Sequence, residues 1–285
     1  MLAEYPFSPK SFATQDDHVM SYLDEGEGPV LVLVHGNPSW SYLYRNLVTL
    51  LKDRYRVIVP DHIGCGFSEK PSSFSYRLQD HIDNICQLLD HLDIDQCVLG
   101  MHDWGGAIGM GWATQFPEKI QGLIVFNTAA FRSKRIPLRI NVCRTPLLGK
   151  ILVQGLNSFA VGAVQMAVTN KMKPEIAKGF VTPYNNWKNR IATHRFITDI
   201  PLKATHPSYT RLEKVEAGLS RLQDKPMIIF WGGRDFCFNE SFYKEWLSRF
   251  PQAQCYYFPE AGHYVLEDAF DEIEGPLQEF LACHS

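Results

Sequence analysis

The run Cys97-Val98-Leu99-Gly100-Met101-His102-Asp103-Trp104-Gly105-Gly106-Ala107 carries the most structural information in this chain. It reads as an apolar strand, a sharp turn at Asp103 and the start of a helix. That helix opens with small residues at Gly105, Gly106, Ala107 and Gly109. Glycine inside a helix costs about 1 kcal/mol relative to alanine, so this concentration signals a helix pressed close against a sheet. Ligand and catalytic groups of open α/β sheets gather beyond the carboxyl ends of strands, where Asp103 falls. A lone Asp after a strand is ordinarily a turn or cap residue. In the strand–Asp–Trp–Gly–Gly–helix setting it is a candidate nucleophile, one that bonds to carbon as an alkyl ester where serine would form an acyl ester.

Working outward, residues 18–23 fit an early strand and Asp24-Glu25-Gly26-Glu27-Gly28-Pro29 a turn. Val30–Val34 is continuously apolar, as expected of a strand covered on both faces. Further strands are expected at 56–59, 97–101, 123–126, 227–231 and 255–258. Ile82, Ile85, Leu88, Leu89 and Leu92 recur at helical spacing, which predicts a helix over 76–92. Strands alternating with helices imply an α/β fold, a mostly parallel central sheet flanked by helices. The alternation breaks after Phe131. Residues 132–214 show helical periodicity punctuated by Pro137, Pro146, Pro174, Pro183, Pro201 and Pro207. We therefore expect a core of 1–131 and 215–285 with an inserted helical cap at 132–214.

The chain has 285 residues, 45% of them hydrophobic, enough for one large domain with an insertion. Its net charge of −3 offers no general attraction to nucleic acid. Seven cysteines form no CxxC pair and read as reduced thiols of a cytoplasmic protein. No basic, then apolar, leader is evident at the N-terminus. The most apolar region, 146–168, is interrupted by Lys150, Gln154, Asn157 and Gln165 and reads as cap helix, not as a transmembrane segment. Loose contact with a membrane or an oily substrate stays open, as does homo-oligomerisation.

Four polar signals follow expected strands: His35-Gly36-Asn37-Pro38, Asp103-Trp104, Asp235 and His263. Asp103 is read as nucleophile. His263 would act as general base toward water, and Asp235 would orient the His263 ring and stabilise its cationic form. Backbone N–H groups near Asn37 and Trp104 would receive a developing oxyanion. The Asn37 and Trp104 side chains would hold a leaving halide or a carboxylate oxygen. His102 is expected to be structural, pointing away from the nucleophile. Residues 61–68 hold two glycines but no phosphate-binding fingerprint, and read as scaffold beneath the site. No metal-ligand spacing such as HExxH occurs. Leu147, Leu148, Ile151, Leu152, Leu156 and Phe159 are candidates either for an oily tunnel or for packing against the core.

Taken together, His35-Gly36-Asn37-Pro38, residues 61–68, His102-Asp103-Trp104-Gly105-Gly106, the Asp235 loop and Ala261-Gly262-His263-Tyr264 resemble the haloalkane dehalogenase-like α/β-hydrolases. Some members place the catalytic acid where this chain has Asn127, which has no carboxylate, so the resemblance gives that role to Asp235. Residues 61–66, 126–131 and 234–238 look like local signatures of the β-lactone decarboxylases of bacterial olefin biosynthesis. That likeness implies conversion of cis-3-alkyl-4-alkyloxetan-2-ones to alkenes and carbon dioxide, no cofactor, and association with thiolase-like and β-lactone-forming enzymes. Haloalkane hydrolysis is the alternative. An epoxide hydrolase would need cap tyrosines, for which Tyr184 and Tyr209 are available by type. A non-catalytic binding relative is a further alternative.

Overall fold

A computed structural model of the chain describes residues 2–285. Eight strands form one sheet: β1 Lys10–Ala13, β2 Val19–Glu25, β3 Val30–Val34, β4 Arg56–Pro60, β5 Cys97–Asp103, β6 Ile120–Thr128, β7 Met227–Gly232 and β8 Gln254–Phe258. Their order is β1-β2-β4-β3-β5-β6-β7-β8. β1 and β2 run antiparallel to their neighbours, and the others pair in parallel. This is the mostly parallel sheet expected from the alternating pattern, in the arrangement that the resemblance to α/β-hydrolases implies. After β3 the chain moves outward to β4, then returns to lay β5 on the other side of β3. The crevice at the carboxyl ends of β3 and β5 is therefore the topological switch point, where open α/β sheets bind ligands.

Helices α1 Arg45–Leu51, α2 Leu78–His91 and α3 Trp104–Ala113 connect the first strands. Between β6 and β7 the regular structure is helical: α4 Leu138–Cys143, α5 Pro146–Lys150 with a π turn at Ile151–Gly155, α6 Ser158–Met166, α7 Pro174–Val181, α8 Ile191–Thr198 and α9 Tyr209–Gly218. This is the inserted cap. Helices α10 Glu240–Arg249, α11 Val265–Asp268 and α12 Phe270–His284 complete the chain. Strands β3 to β7 are almost wholly buried, because helices cover both faces.

Two local readings differ from the sequence expectation. β1 was not expected. It is a mostly exposed edge strand with no apolar run, and its register against β2 (Lys10 opposite Tyr22, Ala13 opposite Val19) defines it. The helix expected over 76–92 starts at Leu78. Tyr76 adopts a left-handed φ of 59°, and the Asp80 carboxylate accepts the Arg77 N–H at 2.8 Å, which closes the helix start.

The turn at Asp103 depends on close backbone approach. Asp103 has φ 53° and ψ −127°, a strained conformation for a residue with a side chain. A Cβ on Gly105 would lie 2.0 Å from the Val34 carbonyl oxygen. Helix α3 can therefore cross the end of β3 only if that position lacks a side chain. Gly105→Ala is expected to destabilise the fold by about 1–3 kcal/mol in urea unfolding and to depress turnover. Unchanged stability would show that the helix does not approach β3 this closely.

Candidate active site

Asp103 is buried at the end of β5. Its Oδ1 accepts the Asn37 backbone N–H at 2.6 Å, and the Trp104 N–H also favours its charged form. Its own carbonyl accepts the Thr128 hydroxyl, which ties β5 to β6. A Cβ on Gly36 would fall 2.1 Å from Asp103 Oδ1, so glycine there leaves room for the carboxylate. Burial pushes the Asp103 carboxyl above its ordinary range, while His263 and the two N–H groups act in the opposite sense. Asp103 Oδ2 faces His263 Nε2 at 3.6 Å, beyond ordinary hydrogen-bond reach.

His263 lies on the loop after β8. Its Nδ1 is 2.7 Å from Asp235 Oδ2, so the Nδ1–H donates to the carboxylate and Nε2 is left facing Asp103. Burial lowers the proton affinity of the His263 ring. The charge and hydrogen bond of Asp235, with Asp103, outweigh it and raise the pKa overall. Asp235 is itself fixed at several points. Its Oδ1 accepts the N–H of Cys237 at 2.6 Å and of Phe238 at 3.1 Å, and its Oδ2 accepts Asn127 Nδ2 at 3.0 Å. The same Asn127 amide also donates to the Gly232 carbonyl and accepts the Gly232 N–H, which joins the ends of β6 and β7. The Phe238 ring stacks on His263, with centroids 5.7 Å apart.

The sequence singled out Asp103, Asp235, His263, Asn37 and Trp104. Asp103, His263, Asn37 and Trp104 line one cavity of about 390 Å³, and Asp235 stands behind His263. The cavity walls are mainly apolar, with Phe131, Ile140, Phe159, Ile197, Leu212 and Phe242 among them. One Asn37 amide N–H is committed to the Thr193 carbonyl at 3.1 Å, which leaves the second for a ligand. The Trp104 indole borders the cavity, and no hydrogen bond engages its N–H among the described residues. Residues 61–68 do not line the cavity. The Asp61 carboxylate instead accepts the N–H of Ser41 at 2.7 Å and of Phe67 at 2.9 Å, as a scaffold beneath the site should. Cys237 lines the cavity, but burial pushes its thiol well above its ordinary range, so it is held protonated.

Several expectations need correction. His102 does not point away from the site. Its Nε2 lies 2.9 Å from the His263 carbonyl oxygen and its ring 4.5 Å from the His263 ring, so its structural role is to brace the loop that carries His263. Of the six cap residues, only Phe159 lines the cavity. Leu147, Leu148, Ile151 and Leu156 are exposed, because α5 and the π turn direct Gly149, Val153 and Gln154 inward instead. Neither Tyr184 nor Tyr209 borders the cavity. The Tyr184 hydroxyl faces the Ser39 carbonyl, and the Tyr209 ring lies beneath the Arg132 guanidinium. The epoxide reading thus loses its proton donors. The bracing role of Asn127 was not read from the sequence. Its position one residue before the end of β6, with φ 26°, is the local sign of it.

The sequence profile of the α/β-hydrolase fold family matches residues 29–270. The chain belongs to that family, and the Asp103–His263–Asp235 arrangement makes it an α/β-hydrolase-fold enzyme with a triad-like site. It is 43% identical to a cis-3-alkyl-4-alkyloxetan-2-one decarboxylase of Shewanella oneidensis, over 97% of this chain and 89% of that protein. A haloalkane dehalogenase 2 of Mycobacterium tuberculosis is 31% identical over 96% of this chain and 95% of its own length. The crystal structure of haloalkane dehalogenase DbeA from Bradyrhizobium elkani has the same fold, with a TM-score of 0.89 and 24% identity. That match covers 97% of this chain and 98% of the DbeA chain.

Cleavage of an aspartyl ester by water needs the neutral His263 ring, since only that form accepts a proton. Because Asp235 favours the protonated ring, water-dependent turnover should fall as pH drops through a midpoint above the ordinary histidine value of 6.5. Asp235→Asn removes that charge, so the midpoint should move downward and the maximal rate should fall. An NMR titration of the His263 ring in the parent and in Asp235→Asn checks the direction of the midpoint, whichever substrate the site turns over.

Proposed function

We propose that the protein is a cis-β-lactone decarboxylase that converts 3-alkyl-4-alkyloxetan-2-ones to long-chain alkenes and carbon dioxide. The observation that carries this reading is the cavity: about 390 Å³ of mostly apolar space ending on the Asp103 carboxyl group and two side-chain N–H donors. That volume lies in the range of drug-sized ligands and exceeds what a four-carbon haloalkane fills. The likeness at 43% and 42% identity to two oxetanone decarboxylases supports the same choice. We take residues 132–214 as the cap that closes this space.

Asp103 Oδ2 attacks the ring carbon C4 from the side opposite the ring oxygen. The C4–O bond breaks, strain is released, and the oxygen becomes part of a free carboxylate on C3. The Trp104 indole N–H and the spare Asn37 N–H receive that carboxylate. Backside attack leaves the carboxylate and the new Asp103 ester antiperiplanar. The C3–carboxylate bond then supplies the electrons of the double bond, carbon dioxide departs, and the C4–O bond to Asp103 breaks. Inversion followed by anti elimination keeps the two alkyl arms cis. No proton or water is consumed. The apolar walls assist, because they hold neutral carbon dioxide and alkene more readily than a carboxylate. His263, oriented by Asp235, helps keep Asp103 ionised.

Haloalkane hydrolysis is the second reading, favoured by the free Trp104 and Asn37 donors. There Asp103 displaces halide, His263 takes a proton from water, and the oxyanion develops on Asp103 Oδ1, which already accepts the Asn37 N–H. A paired assay decides between the two. Given a cis-β-lactone with long alkyl arms, the protein should release alkene and carbon dioxide, with little bromide from 1-bromobutane or 1,2-dibromoethane. Asp103→Ala should abolish turnover. Efficient bromide release without lactone turnover would reverse the order. No product from either substrate would favour a binding protein.

A further inference from the structure

The four exposed cap residues that fail to line the cavity, Leu147, Leu148, Ile151 and Leu156, belong to a larger pattern. Leu138, Leu147, Leu148, Ile151, Leu156 and Met166 are all exposed, and Leu138, Leu147 and Leu156 reach 77%, 74% and 67%. They fall within one stretch, 132–173. Single exposed apolar residues are unremarkable on a protein surface, but a concentration on one element signals an interaction face. The stretch also carries eight Lys or Arg and no Asp or Glu. Arg132 is engaged by Glu213 and Glu216, while the other seven have no carboxylate partner among the described residues. Across 132–214 there are fifteen basic and three acidic residues, a formal charge of +12 in a chain whose total is −3. The rest of the chain is therefore strongly acidic, and the molecule is electrically polarised.

The parts of this face are joined to one another and to the cavity. Arg139 Nη1 lies 3.4 Å from Met166 Sδ, which links α4 to α6. Lys150 Nζ lies 5.6 Å from the Trp187 ring centre, and that half-exposed tryptophan packs beside Gly155 of the π turn. No single helix is long and apolar enough to cross a membrane. The apolar helices Pro146–Gly155 and Ser158–Met166 meet instead at a 70° bend, which suits a wedge lying at a surface. On α4, Leu138 points outward between Pro137 and Arg139, both of which line the cavity. The cavity and this face are therefore two sides of the same wall.

We propose that this face docks on an anionic lipid bilayer, with the exposed leucines entering the interface and the unpaired lysines and arginines meeting lipid phosphates. The leucines match an apolar phase, the cations match anionic headgroups, and the acidic body turns the molecule cap-first toward a negative surface. This rests on the long-chain lactone reading for its purpose: substrates with two alkyl arms partition into bilayers, and docking sets the cavity wall against that store.

Flotation with vesicles tests the docking without reference to turnover. The full chain should float with equimolar phosphatidylcholine and phosphatidylglycerol vesicles, remain behind with phosphatidylcholine alone, and be released by high salt. Leu147→Ser/Leu156→Ser and, separately, Lys171→Glu/Lys173→Glu should each weaken the anionic-vesicle partition by roughly tenfold or more. None of these four residues lines the cavity, so both variants should keep the parent's melting temperature and its turnover of detergent-dispersed substrate. Absence of flotation overturns the proposal whatever the lactone assay shows, and would leave an acidic protein face as the occupant. Equal binding to neutral vesicles, or binding that neither variant weakens, overturns it as well. If lactone turnover fails while flotation is seen, the surface stands and the substrate reading falls.

Discussion

The structure is organised around one strained residue. Asp103 holds a positive φ at the end of β5, and the conformation persists because its surroundings leave it little choice. The Asn37 N–H binds its carboxylate, the Thr128 hydroxyl binds its carbonyl, and helix α3 is pressed against β3 through Gly105. These contacts come from the end of β3 and the loop after it, from the end of β6 and from α3, all around the end of β5. The strand order that creates the switch point is thus also what aims the carboxylate into the cavity.

The charges around Asp103 are balanced against burial. Burial favours the protonated form of Asp103 and the neutral form of His263. Asp235 draws the His263 ring toward its cationic form, and His263 in turn favours ionised Asp103. Asn127 is central to this although it does not line the cavity. By gripping both Gly232 and Asp235 it fixes the Asp235 carboxylate beyond the end of β7.

Much of the site was legible because its residues are held by local chemistry. Glycines at 105 and 106 announce close helix approach, and an Asp on the turn before them has few structural explanations. The alternating strands and helices similarly announced the parallel sheet and its helical insertion. The long-range features were harder. The β1 strand exists only through pairing with β2. Asn127 could be seen to lack a carboxylate, but its grip on Gly232, 105 residues distant, follows only from adjacent strand ends. The cap misled most. Apolar periodicity identifies a face without saying what it meets, and the helices turn several leucines outward that a buried or tunnel-lining role would require inside. That failure exposed a basic, apolar face and gives a surface to the loose membrane contact that the sequence left open.

The central claim is that Asp103 forms a transient ester with substrate carbon. Acid quenching during turnover of a long-chain cis-β-lactone, followed by peptide mass mapping, tests it most directly. The account predicts an adduct with the mass of the intact lactone on the peptide that carries Asp103, labile to base and absent from Asp103→Ala. Alkene formation with no adduct at any quench time, and a rate retained in Asp103→Ala, would contradict it.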